Sequence, residues 1–469
     1  MLKIKKKILF CAAEAAPLAK IGGLADVVDS LPPALKKQGV EVRVIMPAHG
    51  SISLRFWRAK KLASFSVNFG KKKERVVLLS AKVEGVHYYF LQSKNYFSGA
   101  VYGENTLDKY LFFSQAVAAS MPFLAFTPDI IHAHDFHTAG VLLTYLQKSD
   151  YPRPKLVLTI HNLQHQGWVS ASKFKSFGFN PDIVPAAAKN KAGNWVNILA
   201  AGIMAADKIT TVSPSYAQEI MTKKYGQELE KLLISRQNDL VGILNGLDVV
   251  SYNPATDKAL AFNYNRINLV AGKAINKQAL RSYFGLSDSP IPLLALVARL
   301  SDQKGIDLFN LNKLKTLIKK YPFQLIILGT GEKKFESLAS SLAVNLPEAV
   351  RAEIAFDDVL ARNLYAGSDY FLVPSRFEPC GLTQMIAMRY GSVPIVRATG
   401  GLKDTVIDGY NGFVFKNYTD SSLLSSLQRA LRLYYQEPDK YQALRRAGMS
   451  TDWSWQASVP RYLDLYNSL

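Results

Sequence analysis

The sequence carries one kind of loop twice. Lys20-Ile21-Gly22-Gly23-Leu24-Ala25-Asp26 follows an apolar run and opens a helical pattern, and Ala398-Thr399-Gly400-Gly401-Leu402-Lys403-Asp404 does the same in the second half. Paired glycines let a backbone approach a ligand closely, and a helix N-terminus attracts anions through its free N–H groups and its dipole. One such loop is most often only a turn. Two of them, each after a strand, point to a chain of two similar halves, each offering a loop to a ligand.

The rest of the pattern agrees. Short apolar runs bounded by turn residues alternate with longer amphipathic stretches, the mark of βαβ units. In the first half the spacing predicts strands over Lys7–Ala13, Val40–Met46, Asp129–Ala133, Lys155–Ile160 and Lys208–Val212, and a β-hairpin insertion over 60–91. It predicts helices over Leu24–Lys37, with Pro32-Pro33 kinking it, Leu107–Met121, Ala139–Gln147 and Asn194–Ala206. In the second half, strands are expected over Leu293–Ala298, Gln324–Leu328, Glu353–Phe356, Tyr370–Val373 and Pro394–Val396, and helices over Leu308–Lys320 and Val359–Ala366. A polar, Asn-rich stretch, 247–289, joins the halves. The expected fold is α/β, with two doubly wound, Rossmann-like domains facing across a cleft. Their bounds are 1–246 and 247–450, and the segment 451–469 is expected to pack back on the first.

Composition narrows the function. Lys+Arg 57 against Asp+Glu 37 gives a formal charge of +20. The basic runs, Lys5-Lys6-Lys7, Lys71-Lys72-Lys73 at a hairpin tip and Lys319-Lys320 at a helix end, are scattered and lack interleaved stacking aromatics. A nucleic-acid binder therefore rests on charge alone, whereas a positive field suits an anionic small substrate. The two cysteines, Cys11 and Cys380, have no metal-ligand or CxxC neighbours, which fits a reducing cytoplasm. The basic head and apolar stretch at the N-terminus resemble a signal peptide but are interrupted by Glu14, and no apolar run is long enough for a membrane span.

Ligands of open α/β sheets sit outside the carboxyl ends of the strands, and the polar strings fall just there. Arg299 and Lys304, in Ala298–Gly305, could clamp a diphosphate, one by a bidentate fork and one as a point charge. Glu378, in Pro374-Ser375-Arg376-Phe377-Glu378-Pro379-Cys380-Gly381-Leu382-Thr383-Gln384, could accept sugar hydroxyls, and the backbone N–H groups from Gly381 onward could meet phosphate or ribose. Five of the seven histidines lie in His132–His137 and His161–Gly167. No Cys or paired carboxylate completes a metal shell around them, so polar lining of a carbohydrate cleft, with Asp135, is the better reading. No GxSxG elbow supports a nucleophilic triad.

These strings, in this order, resemble the bacterial glycogen synthase and plant starch synthase family. The hallmark Lys-x-Gly-Gly-Leu-Ala-Asp-Val matches at Lys20–Val27. Further matches are Val212–Ala217, Gly242–Asp248, Arg299–Gly305, Ser375–Gln384 and Thr399–Leu402. Ile386 stands where the wider group of retaining glycosyltransferases carries a second glutamate, as in the glycogen synthase pattern. The resemblance spans essentially the whole chain. It implies the GT-B fold and metal-independent, cofactor-free transfer of glucose from ADP-glucose to an α-1,4-glucan such as glycogen, with retention. By chemistry alone the residues suit UDP-glucose as well.

The resemblance also implies roles. Lys20, Arg299 and Lys304 hold the diphosphate; Gly23, Gly400 and Gly401 let amides approach it, and Gly22 belongs to the substrate-binding set. His161 and Glu378 position the transferred glucose, and Asp135 lines the acceptor side. Asp26, Asn162, Asn245, Cys380, Gly381, Leu382 and Thr399 complete the expected binding set.

Departures from the family pattern gather in the first half. Ile21 replaces Thr, Phe136 replaces Trp, His165 replaces Tyr, an Arg near Gly99 is missing, and Leu199-Ala200-Ala201-Gly202 lacks a lysine often present. Donor binding is expected to persist, with acceptor preference or rate altered. A carbohydrate-binding relative that has lost catalysis is the alternative from another class.

Overall fold

The computed structural model describes residues 6–69, 71–147 and 153–469; Lys5, counted above in a basic run, lies outside them. The chain divides into two compact units, one of residues Met1–Gly246 with Trp455–Leu469, the other of Leu247–Ser454.

The first unit is built on β1 (Lys7–Cys11), β2 (Glu41–Pro47), β3 (Lys60–Phe69), β4 (Lys72–Val83), β5 (Val86–Gln92), β6 (Ile130–His134), β7 (Lys155–Ile160), β8 (Trp168–Ser170), β9 (Trp195–Asn197), β10 (Lys208–Thr211) and β11 (Leu240–Gly242). Among the described residues, nine of these form one sheet in the order β11-β10-β7-β6-β1-β2-β5-β4-β3, while β8 and β9 pair as a separate ribbon. Strand β1 runs parallel to both β2 and β6. The order therefore reverses at β1, which makes the β1/β6 edge a topological switch point. Ile8, Leu9, Phe10 and Cys11 are all fully buried, as expected of a parallel strand covered on both faces.

Helix α1 (Gly23–Lys37) runs uninterrupted through Pro32 and Pro33. Helix α2 (Thr106–Ser120) and helix α3 (Asp135–Leu146) follow. The helix Trp455–Asn467, last in the chain, contacts α1 and so completes the first unit.

The second unit holds β12 (Leu293–Val297), β13 (Gln324–Leu328), β14 (Val350–Glu353), β15 (Tyr370–Val373), β16 (Val393–Arg397) and β17 (Phe413–Phe415). Among the described residues these make one parallel sheet in the order β14-β13-β12-β15-β16-β17. The order reverses at β12, giving a second switch point beside β15. Its core joins Leu294, Leu296, Ile327 and Leu372 of the strands to Leu423, Leu427 and Leu431 of a covering helix.

Several sequence expectations are corrected. Within 60–91, β3 and β4 pair antiparallel as the expected hairpin does, but the segment is more than an insertion. It forms three strands, and the last, β5, enters the main sheet parallel to β2 because Tyr88, Tyr89, Phe90 and Leu91 are all buried. The stretch Asn194–Ala206 opens with β9, and its helix spans only Ile198–Ala205, capped by the Asn197 side chain. Strand β14 ends at Glu353, where an apolar run suggested that a strand began. That run is exposed, with Phe356 at 84%. The helix expected from Leu308 starts at Leu311, after a short 3-10 turn over Ile306–Leu308.

Candidate active site

In the first unit the polar groups gather beyond β1, β6 and β7. After β1, Glu14 is buried, and its Oε2 accepts from the N–H of Ile21 at 2.6 Å and of Gly22 at 3.0 Å. Its Oε1 accepts from the Tyr102 hydroxyl at 3.0 Å. A carboxylate thus already sits at the N-terminus of α1, where Gly22 is the cap and no side chain of its own can serve. The Gly22 N–H, on the loop expected to bind substrate, is committed to Glu14. Lys20 pairs with Asp26 at 2.7 Å, both partly exposed.

After β6, Asp135 opens α3 with a left-handed backbone, φ 55°. Its Oδ1 accepts from the N–H of His161 at 2.7 Å and of Asn162 at 3.3 Å, tying the loop after β7 to the loop after β6. Burial pushes its pKa up to about 7, against the lowering pull of those two N–H groups, with the nearby Glu14 adding to the rise.

The histidines form a packed row. His134 Nδ1 lies 3.0 Å from His161 Nε2 and its ring stacks on His132, centroids 4.5 Å apart. His132 in turn bonds the Tyr466 hydroxyl at 2.8 Å and Thr159 at 2.6 Å. Burial holds His132 and His161 down to about 3, and it holds His134 well below the ordinary imidazole range as well. The imidazoles are therefore neutral, and the His134–His161 contact is an N–H···N bond between complementary tautomers. His137 is likewise held down to about 3 by burial, between the rings of Tyr102 and Tyr110. Among the described residues no three His, Cys, Asp or Glu side chains converge as a metal shell requires.

The departures have visible consequences. The Phe136 ring fills the space beside Gly167, where a Cβ would lie 2.3 Å from it, so a residue with φ +68° and no side chain is required there. Ala200 is fully buried, on a helix packed against α3. The loop after Gly99 is held by Lys109, whose Nζ donates to Ala100 O, and by Tyr110, whose hydroxyl donates to Val101 O at 3.0 Å. Ile21 and His165 are exposed. Asn245 is buried, and its Oδ1 accepts no hydrogen bond.

In the second unit the loops after β12, β15 and β16 meet. Lys304 Nζ and Glu378 Oε2 form an ion pair at 2.6 Å, and Ser375 Oγ donates to the same oxygen at 2.9 Å. Gln303 knits the two loops from below: its Nε2 donates to Phe377 O at 3.1 Å, and its carbonyl accepts from the Arg376 N–H at 2.8 Å. Arg299 is exposed at the end of β12 and has no ion-pair partner among the described residues. The N–H groups of Gly381 and Leu382 likewise donate to nothing among the described residues.

Gly400 and Gly401 do something other than expected. A Cβ on Gly400 would lie 2.0 Å from Glu378 O, and one on Gly401 would lie 2.2 Å from Cys380 O. The Gly401 N–H donates to Glu378 O at 3.1 Å and Pro379 O at 3.2 Å. The pair is glycine so that the loop after β16 can press against the Glu378–Cys380 backbone, and Gly401's amide is spent there rather than on a ligand. Thr399, the cap of the short helix that follows, is fully buried.

Sequence reasoning missed Glu14, Tyr102, Ser375 and Gln303. A lone carboxylate or amide after a strand carries no signal of its own, and only the fold shows which N–H groups it meets.

Each half carries a doubly wound sheet, parallel throughout in the second unit and parallel apart from the β3–β4–β5 edge in the first, with polar loops at the carboxyl edges; with the matches that follow, this makes the chain a glycosyltransferase of the GT-B fold. Residues 7–235 match the family described as starch synthase catalytic domain, and residues 285–450 match glycosyl transferases group 1. The chain is 40% identical over 478 residues to a glycogen synthase of Anoxybacillus flavithermus, covering 99% of this chain and 98% of that one. It is 42% identical over 480 residues to a glycogen synthase of Exiguobacterium sibiricum, covering 98% of each. The solved catalytic domain of starch synthase IV from Arabidopsis thaliana, bound to ADP and acarbose, matches with a TM-score of 0.90 at 34% identity over 99% of both chains. A sucrose-phosphate synthase from Thermosynechococcus elongatus shares the fold, with a TM-score of 0.61 at 17% identity over 99% of both chains. The chain belongs to the starch synthase and bacterial glycogen synthase family.

Proposed function

We propose that the chain transfers glucose from ADP-glucose to the non-reducing end of an α-1,4-glucan such as glycogen, with retention and without a metal ion. The observation that carries this reading is the cluster in the second unit: exposed Arg299, the Lys304–Glu378 pair and the open N–H groups of Gly381 and Leu382, all at carboxyl ends of strands beside a switch point. Such a cluster suits a nucleoside diphosphate sugar.

When transfer occurs, the bond from the glucosyl C1 to phosphate oxygen breaks and its electron pair leaves on ADP, while the acceptor's terminal 4-hydroxyl oxygen bonds to C1 and gives up its proton to the departing phosphate. Arg299 and Lys304 stabilise that growing negative charge, which is electrostatic catalysis by pre-placed cations. Lys20 carries a further cation on the family's hallmark loop. Glu378 and His161 position the glucosyl unit, and Asp135 lines the acceptor side. Asp26, Asn162, Asn245, Cys380 and Thr399 support these groups. Rigid placement counts here, and the pairs of Glu378 with Lys304 and Ser375, and of Asp135 with two backbone N–H groups, supply it.

The test is glucose incorporation into glycogen, with ADP-glucose and UDP-glucose offered separately in the presence of a chelator. Transfer from ADP-glucose is expected. Transfer only from UDP-glucose would overturn the donor, and loss of transfer with chelator would overturn metal independence.

A further inference from the structure

The β8–β9 ribbon pairs Trp168 with Asn197, Val169 with Val196 and Ser170 with Trp195. Val169 and Val196 are fully buried. Alternation along a strand therefore turns Trp168 and Trp195 to the opposite face. Both indoles stand out from the protein, at 39% and 45% exposure, although tryptophan is among the more deeply buried side chains on average.

On that face lies a cavity of about 450 Å³, lined among others by Trp168, Trp195, Gln166, Asn190, Asn197 and Glu228. Its volume falls within the roughly 300–1,000 Å³ of small-ligand sites. The lining is ordered by its own hydrogen bonds. Asn197 Nδ2 donates to Gln166 Oε1 at 2.6 Å, and Gln166 Nε2 donates to Gln227 O at 2.8 Å. Asn190 Oδ1 accepts from the Trp195 N–H at 3.1 Å, fixing the strand that carries that indole. Glu228 in the wall has a left-handed backbone, φ 69°, and so has the preceding Gln227, φ 49°, a feature that gathers at ligand sites.

We propose that this cavity is a glucan-binding subsite, which holds the acceptor chain away from the reacting end. A pyranose ring has an apolar C–H face and a rim of hydroxyls. Indoles can stack on the first, and the amides of Gln166 and Asn190 can exchange hydrogen bonds with the second, while buried Asn197 holds Gln166 in place. The charges on the lining, Lys189 and Lys191 with Glu228, include no arginine fork of the kind that reads phosphate. A linkage to the acceptor loops is built in, because Gln166 lines the cavity while the next residue, Gly167, seats the Phe136 ring beside Asp135. The assignment of the occupant rests on the glucan-acceptor reading above.

The experiment is native electrophoresis through gels containing glycogen, run beside maltoheptaose titrations. It compares the unaltered chain, Trp195→Phe and the double variant Trp168→Ala/Trp195→Ala. The double variant should bind glycogen roughly tenfold more weakly, the scale of losing aromatic stacking platforms. Trp195→Phe, which keeps a ring, should lose much less. Equal retardation of all three proteins would overturn the subsite. If no donor supports transfer and retardation is still lost in the double variant, the catalytic reading fails while the subsite stands.

Discussion

Lys304 Nζ lies 2.6 Å from Glu378 Oε2, so the lysine proposed to neutralise the leaving group is aimed by the carboxylate proposed to position the sugar. Removing the cation removes charge stabilisation and also leaves Glu378 with only the Ser375 hydroxyl. Lys304→Ala should therefore lower kcat with ADP-glucose by about 100- to 1,000-fold, the range for loss of one pre-placed electrostatic group. Steady-state kinetics decide this, and unimpaired turnover would end the proposed role.

Gly400 supports Glu378 from beneath. An alanine there would carry its Cβ to 2.0 Å from Glu378 O on a backbone with φ +43°. Gly400→Ala is expected to cost about 2 kcal/mol or more, from left-handed strain plus the overlap. It should also cut turnover, because the loop that must move to admit the methyl is the one carrying Glu378. A variant with full activity and an unchanged melting temperature would contradict this account.

The pH dependence of stability has two opposed sources in the first unit. His132, His137 and His161 are held down to about 3 and His49 to about 4 by burial. Between their ordinary pKa of about 6.5 and those values, the unfolded chain binds more protons than the folded one, so stability falls as pH drops through that window. Asp135, raised to about 7 by burial, works the other way: between about 4 and 7 the folded state binds the extra proton, and acidification stabilises. Asp135→Asn should remove this compensation and steepen the loss of melting temperature from about pH 7 to about pH 5. Melting curves across that range give the answer, and parallel curves for the two proteins would remove Asp135 from it.

Glu14 gathers three donors at the head of α1. Glu14→Ala leaves the N–H groups of Ile21 and Gly22 and the Tyr102 hydroxyl without their acceptor, at about 1–3 kcal/mol for each that stays buried. Glu14→Gln keeps an oxygen for the two N–H groups. The alanine variant should melt lower and show a raised KM for ADP-glucose, with the glutamine variant near normal. Equal damage from both would mean that the negative charge, rather than the acceptor geometry, is what the loop needs.

The strands buried on both faces were legible in the sequence: β7, β13 and β15 lie over the predicted residues, because parallel strands read as short continuous apolar runs. The failures have physical causes. The run ending at Phe356 reads as a strand, yet the register with β13 pairs Val350 to Leu325 and Glu353 to Leu328, leaving Phe356 outside. In the site, residue types and their post-strand positions could be read, but the use of each polar atom could not. Gly401 shows the difference: a glycine suited to meeting phosphate turns out to seat a neighbouring loop. Glu14 shows the converse, a residue that marked the end of an apolar run and proves to organise the hallmark loop.

The helix Trp455–Asn467 belongs to the first unit although the whole of the second precedes it in the chain. On a ribosome, which releases residues in order, the second unit can fold as soon as it emerges. The first must wait with the face of α1 uncovered until that helix arrives. Early termination anywhere after Gly246 would therefore spoil the unit made first.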